Sequence, residues 1–497
     1  MLLALPIAVP FLTGVVCLAL RASPPFQRLA SLIGAAASVI VASRIAEAVL
    51  AEGPFAEQMG GWPAPFGITL AADMLSAGLL LVTSICGVAV VLFGFSEVEE
   101  TSELRGHHTL LHVMLGGVSG AFVTGDLFNL YVWFEVLLIA SFGLLVVRGG
   151  RRQFDGAIRY VALNLTATIG FLTGVGLLYG ATGALNMADL HRAVAEIDDP
   201  RKLYATGALL LFAFGAKAAL FPVFFWLPAS YHTPSFTVSA IFAALLTKVG
   251  VYAIFRTFTL IYPPDTPYLA EVLMAAGALT MVVGVFGALA EREVRRVLSF
   301  SVIASIGFMI VALSIGTEAA IAAGVFYLLQ DMFLKVALFA VAWLAVRRGG
   351  SEDFRLSGGL WPVAPMLGAL FLLPGLALAG VPPFSGFWAK VLLVDAALAA
   401  EAWWLAALAL GVGLLTLYAM ARMFSELFWK PRPAAAPALA TERPPVPIPA
   451  LAATLAMVGI VTYIGVQPAP FIAFAQIAGA QLADPSAYIA AVLGGTP

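Results

Sequence analysis

The chain has 497 residues, of which 61% are hydrophobic and 11% charged, with a formal charge of −2 and a mean hydropathy of +0.98. Soluble domains carry about 25% charged residues, so this composition excludes an ordinary soluble enzyme and assigns most of the chain to lipid. The near-neutral charge offers nothing to nucleic acid, and two cysteines, Cys17 and Cys86, both in apolar stretches, exclude a disulfide framework or a cysteine metal cage.

A bilayer core needs about 20 apolar residues per helix. On that measure the sequence predicts an all-α integral membrane protein of about fourteen spans. The first, 2–20, lacks a preceding basic region and is followed by Arg21 and Arg28, the reverse of a cleaved leader, so it reads as mature structure. Spans two to six follow at 29–50, 70–95, 109–124, 127–147 and 159–180. In the loop 181–202, Asn186 is placed to cap a short helix along the membrane surface, with Leu190, Val194 and Ile197 on one face. Spans seven to eleven are 203–227, 235–260, 268–289, 297–316 and 318–346. The twelfth, 363–398, is long and carries Pro382-Pro383 at its middle, which predicts one broken helix. Span thirteen is 402–427. Residues 431–450 read as a Pro/Ala-rich semi-rigid linker, span fourteen (449–470) as a peripheral addition, and the tail from 471 as a segment on the outer surface.

Basic residues orient these spans. With the N-terminus outside, the inner loops hold sixteen: Arg21, Arg28, Arg105, Arg148, Arg151, Arg152, Arg159, Arg292, Arg295, Arg296, Arg347, Arg348, Arg355, Lys430, Arg432 and Arg443. The outer loops hold only four, Arg44, Arg192, Arg201 and Lys202. That asymmetry is a strong positive-inside signal and predicts a multi-pass protein of the cytoplasmic membrane.

Spans seven and twelve share a pattern. Each is interrupted by proline at mid-depth, with Lys217 before Pro222 and Lys390 after Pro382-Pro383. Five spans separate them, and an odd offset reverses direction, so inverted five-helix repeats are expected over spans four to eight and nine to thirteen, with helices seven and twelve broken. The corresponding segments are 1–108 (three helices), 109–262 (first repeat), 263–430 (second repeat) and 431–497 (linker, span fourteen and tail).

A lysine at mid-bilayer costs about 2.5–3.5 kcal/mol and so should face an interior partner or water. Four lysines lie inside spans here: Lys217, Lys248, Lys335 and Lys390, on spans seven, eight, eleven and twelve. Glu135, the acidic residue deep in span five, is the expected counter-charge of Lys217. Pro222 cannot donate to the carbonyl of Ala218, which leaves that oxygen for water or for the lysine itself. Asp331 precedes Lys335 by four positions and shares its helical face. Thr247, Ser299, Ser301, Ser305, Gln330 and Ser385 can bridge between carriers. His232, after the broken seventh span, and His112, in the fourth, can each relay or tune, since histidine titrates near neutrality; the plainer reading of both is a loop or core histidine. Arg256 and Arg422 lie near span ends and can snorkel, and Asp73, Asp126 and Asp395 read as interface residues. No Walker loop, dinucleotide fingerprint or HExxH is present, so no cofactor is expected, and a metal site is left open.

The blocks FEVLLIAS, FGAKAALFPVFFWLPASYHTP, LLTKVGVYAIFR, RRVLSFSVIASIGF, DMFLKVALF and GVPPFSGFWAK closely resemble the proton-translocating family that comprises the antiporter-like subunits of NADH-quinone oxidoreductase and the large subunits of Mrp multisubunit antiporters. DLFNLYVWFEV, the FFWLPASYHTP block and lysine at 390 favour the D-type branch. The resemblance implies Glu135 and Lys217 as a paired switch, Lys248 as connector, and Lys335 and Lys390 as stations of the second half. It implies other membrane subunits as partners and exchange of cytoplasmic Na+ for external H+. Relatives often place a histidine just before the eleventh-span lysine, whereas Gln330-Asp331 occupy that turn here, which implies a more firmly charged Lys335. The alternatives are a proton-pumping subunit of an NADH-quinone oxidoreductase or membrane hydrogenase, a stand-alone organic-solute carrier, and a scaffold.

Overall fold

Inside a bilayer every backbone amide must be satisfied within its own segment, and the long apolar runs accordingly fold as helices. The computed structural model describes residues 1–197, 199–262, 266, 268–436 and 446–494. Arg443, residues 437–445 of the expected linker and residue 263, where the second repeat is expected to start, lie outside them.

In chain order the helices are α1 (Leu5–Ala19), α2 (Pro24–Glu52), α3 (Met74–Glu97), α4 (Glu100–Leu104), α5 (His107–Val123), α6 (Leu127–Val146), α7 (Arg151–Thr182) and α8 (Met187–Ala195). Then come α9 (Pro200–Ala218), α10 (Trp226–Ser230), α11 (Phe236–Ile241), α12 (Thr247–Arg256), α13 (Leu269–Ala290), α14 (Val294–Ile315) and α15 (Glu318–Gly349). The last are α16 (Pro365–Ala379), α17 (Ser385–Ala399), α18 (Trp403–Phe424), α19 (Ile448–Val466), α20 (Ala469–Ala483) and α21 (Ser486–Leu493). Among the described residues ten helices are long and apolar enough to cross a membrane, counting Phe236–Ile261 and Trp403–Trp429 as continuous rods. Each expected span falls on a helix or a helix pair. Span seven is α9 and α10 across a break at 219–225, and span twelve is α16 and α17 across a break at 380–384.

The region after α2 departs from a purely helical reading. Strands β1 (Phe55–Gln58) and β2 (Thr69–Ala72) form an antiparallel hairpin, with Phe55 opposite Ala72. The helical run expected from residue 70 therefore starts at Met74, where Asp73 accepts from Ser76 N (2.9 Å) as N-cap. The short helix expected in the loop 181–202 forms as α8, capped by Asn186, with Leu190 and Val194 buried.

The C-terminal expectations are corrected. Helix α19 packs against α3, α15, α16 and α17 rather than lying peripherally, and Trp388 Nε1 donates to Gly465 O (2.8 Å). The tail is not spread on the outer surface. Helix α20 packs on α15 and α3 through a stripe of Ala475, Ala478, Gly479 and Leu482, and Gln481 accepts from Met74 N (2.9 Å). Small residues allow the close helix approach that takes the place of a hydrophobic driving force in lipid, and mean apolarity does not register such a stripe.

Helix α15 is the pillar around which the other elements sit. It is 32 residues long and buried along nearly its whole length. Helices α3, α11, α14, α16, α17, α19 and α20 all pack on it.

Candidate functional site

The first charged group is built by three helices. Glu135 on α6, half-buried, accepts from Thr168 Oγ1 on α7 (2.6 Å), and Thr168 Oγ1 in turn accepts from Lys217 Nζ on α9 (3.1 Å). The expected Glu135–Lys217 pair is thus joined through Thr168 rather than directly. Lys217 also lies 5.3 Å from the centroid of Phe134. Helix α9 stops immediately after it because Ala219 adopts the left-handed conformation (φ 62°), which an L-residue other than glycine seldom takes. The break is satisfied locally. Leu220 N donates to Gly215 O (2.8 Å), Trp226 Nε1 to Ala216 O (2.9 Å), and Phe221 N to Thr280 Oγ1 on α13 (2.8 Å). The Lys217 ammonium goes to Thr168 and not to a carbonyl of the break.

The second group lies at the centre. Lys248 follows a π-helical turn over Phe242–Leu246 and donates to Ala243 O (2.8 Å); such turns occur preferentially at functional positions. Its ammonium lies 2.8 Å from Asp331 Oδ2, and Lys335 Nζ lies 3.4 Å from Asp331 Oδ1, with all three side chains fully buried. One carboxylate therefore holds two ammonium groups, and the nearer is Lys248, not its neighbour in sequence. Lys335 also donates to Ser301 Oγ (3.3 Å), Ser301 O (3.2 Å) and Ser305 Oγ (3.0 Å) on α14.

The third group is Lys390 on α17, which donates to Leu378 O (2.9 Å) and Ala379 O (2.6 Å), the last carbonyls of α16. Here the lysine does satisfy the oxygens freed at a helix break. Gly380 makes this fit possible. Its φ is +87°, and an added Cβ would stand 2.6 Å from Lys390 Cδ. A void of about 10 Å³ lies between Ser301, Ser305, Lys390 and Thr416, on the order of what one water needs. It separates the Lys335 partners from Lys390.

Within the first half, α12 and α9 touch at the backbone. At Gly250 on α12 an added Cβ would lie 2.6 Å from Ala218 N, so this position brings α12 directly against the residue after Lys217.

The proposed tuning residues divide. Ser301 contacts Lys335, and Gln330 Oε1 accepts from Ser385 Oγ (3.1 Å) at the start of α17. Thr247 is buried beside Lys248 in sequence, but its hydroxyl meets no hydrogen-bond partner among the described residues. His232 lies apart from the lysines, at a mouth of about 320 Å³ lined by Arg152, Asp155, Arg159, Glu291 and Arg296. Its Nδ1 donates to Pro228 O (2.9 Å), and its Nε2 accepts from Arg296 (3.3 Å), which defines a neutral imidazole. Burial, and then the Arg296 charge, push it down to about 4.

Sequence reasoning missed two features. Thr168 is one of three threonines in its span, and nothing in their spacing separates it from Thr166 and Thr173, which bond their own helix at Ala162 O and Ile169 O. Arg256 does not snorkel, and Asp73 is not an interface residue. They form a fully buried ion pair (2.7 Å), with Arg256 stacked near Tyr252 and Tyr488. Their separation along the chain hid that pairing. His112, expected in the core, is buried and hydrogen-bonded to Ser31 Oγ (2.8 Å).

The family model described as NADH:quinone oxidoreductase/Mrp antiporter, transmembrane, matches residues 124–416. The D subunit of the Na+/H+ antiporter of Alkalihalophilus pseudofirmus is 39% identical over 428 residues, 86% of this chain and 87% of that one. The D subunit of the Bacillus subtilis antiporter is 38% identical over 425 residues, 86% of each. Among solved structures, a chain of the Mrp complex from Dietzia sp. superposes with a TM-score of 0.92 at 31% identity over 99% of both chains. A chain of an archaeal membrane-bound sulfane sulfur reductase superposes with a TM-score of 0.90 at 28% identity over 99% of both.

Proposed function

The chain belongs to the NADH:quinone oxidoreductase/Mrp antiporter family of membrane subunits, and from that premise we propose that it carries protons within a multisubunit Na+/H+ antiporter. It is a transporter component and not an enzyme, like the antiporter D subunits it resembles. The proposed topology has fourteen crossings, the N-terminus outside the cytoplasmic membrane, and inverted repeats over 109–262 and 263–430 between segments 1–108 and 431–497. Other membrane subunits are its partners, as in the Mrp complex whose chain it matches. The net exchange is cytoplasmic Na+ for external H+, driven by the proton gradient.

The observation that carries this reading is the shared Asp331. A carboxylate that holds Lys248 from one half and Lys335 from the other can stabilise two charges only partially at once. A shift of positive charge at either lysine changes its hold on the other. A proton reaching Glu135 removes the negative charge that Thr168 links to Lys217, and the perturbation passes across the α9–α12 contact to Lys248. From Lys335 the serines and the small void support passage to Lys390. A stand-alone solute carrier fits less well, since it needs a chamber on this axis. The redox-driven reading keeps one support, the match to a chain of a respiratory complex, and would use the same lysines with a different drive.

Everted vesicles from cells lacking other antiporters, carrying the whole complex, provide the test. Na+ added to an energised proton gradient is expected to collapse it in wild type and to leave it standing in Lys217→Ala and Asp331→Asn at matched abundance. An assembled wild-type complex that ignores Na+ would transfer the assignment to the redox-driven reading.

A further inference from the structure

Away from the lysine axis, the inner ends of α15, α16 and α19 leave an apolar groove of about 690 Å³ on the side of the protein. Leu370 and Leu373 form one wall and Leu451 and Leu455 the other, with Arg347 and Arg348 at the mouth. The lips are bare, with Met366 on α16 81% exposed and Val446, just before α19, 42% exposed. Arg347 has no carboxylate partner among the described residues, and its guanidinium lies 5.2 Å from the ring centroid of Trp343.

We propose that this groove binds one anionic phospholipid of the inner leaflet, its phosphate on Arg347 at the mouth and an acyl chain along Leu370, Leu373, Leu451 and Leu455. The leaflet follows from the orientation proposed above; the lipid class does not depend on it. Charge complementarity selects the occupant. A planar guanidinium binds phosphate in a bidentate manner, whereas a zwitterionic headgroup brings its own cation beside the phosphate, and that cation is repelled by Arg347 and Arg348 at the mouth. The depth also fits. Leu373 lies two helical turns beyond Pro365, about 12 Å deeper, within one leaflet of a core about 30 Å thick. A lipid there would lean on α16, whose terminal carbonyls at Leu378 and Ala379 hold Lys390.

The test uses the purified complex in nanodiscs of mixed phosphatidylglycerol and phosphatidylcholine, with retained lipid counted by mass spectrometry. Phosphatidylglycerol is expected to be retained about fivefold over phosphatidylcholine, and Arg347→Gln to remove about that factor. Leu370→Trp fills the groove and lowers retention of both lipids. Arg44→Gln, at the opposite face, leaves retention unchanged. A photo-crosslinker in place of Leu455 is expected to label lipid. Equal retention of the two lipids, retention indifferent to Arg347→Gln, or crosslinks to a neighbouring protein subunit would each overturn the proposal. Because lipid and not ion flux is measured, its failure is separable from failure of the antiporter reading.

Discussion

Thr168 stands between a carboxylate and an ammonium that share no direct hydrogen bond, so its hydroxyl is the hydrogen-bonded link between them. Hydrogen bonds to charged groups contribute about 1.5–3 kcal/mol, which corresponds to a tenfold or greater effect on a coupled step. Thr168→Val is therefore expected to cut Na+/H+ exchange by at least about tenfold at unchanged abundance, and Thr168→Ser to restore most of it; full activity in the valine variant would remove Thr168 from the path. His232 makes a different prediction. Its folded value of about 4 lies below the free imidazole value of about 6.5. Between those values the unfolded chain takes up the proton and the folded one does not, so stability falls as pH drops through this window and is unaffected above it. His232→Gln should lose less melting temperature than wild type between pH 7 and pH 5, and equal losses would show that His232 is not the group responsible.

At the scale of elements, the breaks and close approaches place the charges. Ala219 ends α9 one residue after Ala218, and Gly250 lets α12 approach that point. Gly250→Val adds atoms where even a Cβ would lie 2.6 Å from Ala218 N, and overpacking of this kind costs about 1–3 kcal/mol. The expected result is a complex that assembles with a lowered melting temperature and strongly reduced exchange. Normal exchange in that variant would show that the α9–α12 contact does not couple the lysines. Gly380 plays the corresponding part in the second half, where a left-handed glycine turns the chain so that Lys390 can reach the carbonyls of α16. The π-helical turn before Lys248 is a third device of the same kind.

At the scale of the molecule, the Asp73–Arg256 pair ties the start of α3 to the end of α12 and, through Tyr488, to the C-terminal α21. Removing one partner of a buried pair costs about 3–5 kcal/mol because the other charge is left uncompensated, whereas replacing both with apolar residues can be neutral. Arg256→Met should destabilise the detergent-solubilised complex markedly, and Asp73→Leu added to it should recover most of the loss. If the double variant melts as low as the single one, the pair does more than neutralise itself.

Much of this protein is legible in its sequence because lipid imposes a simple rule. An apolar run of sufficient length must become a helix, and every expected span does coincide with a helix or a broken pair. Prolines at 222 and 382–383 mark the two breaks, and the cost of burying charge by itself singles out Glu135 and the four lysines. What those charges touch was decided only by tertiary structure. Asp331 shares a helical face with Lys335, yet Lys248 from a distant helix lies closer. Glu135 is hydrogen-bonded to Lys217 through Thr168 and not directly, and Arg256 meets Asp73 from 183 positions away along the chain. Periodicity reports which way a side chain faces along its own helix, but partners on other helices depend on how those helices pack, and that packing rests on small residues such as Gly250 and Gly479 whose pattern carries no signal of its partner.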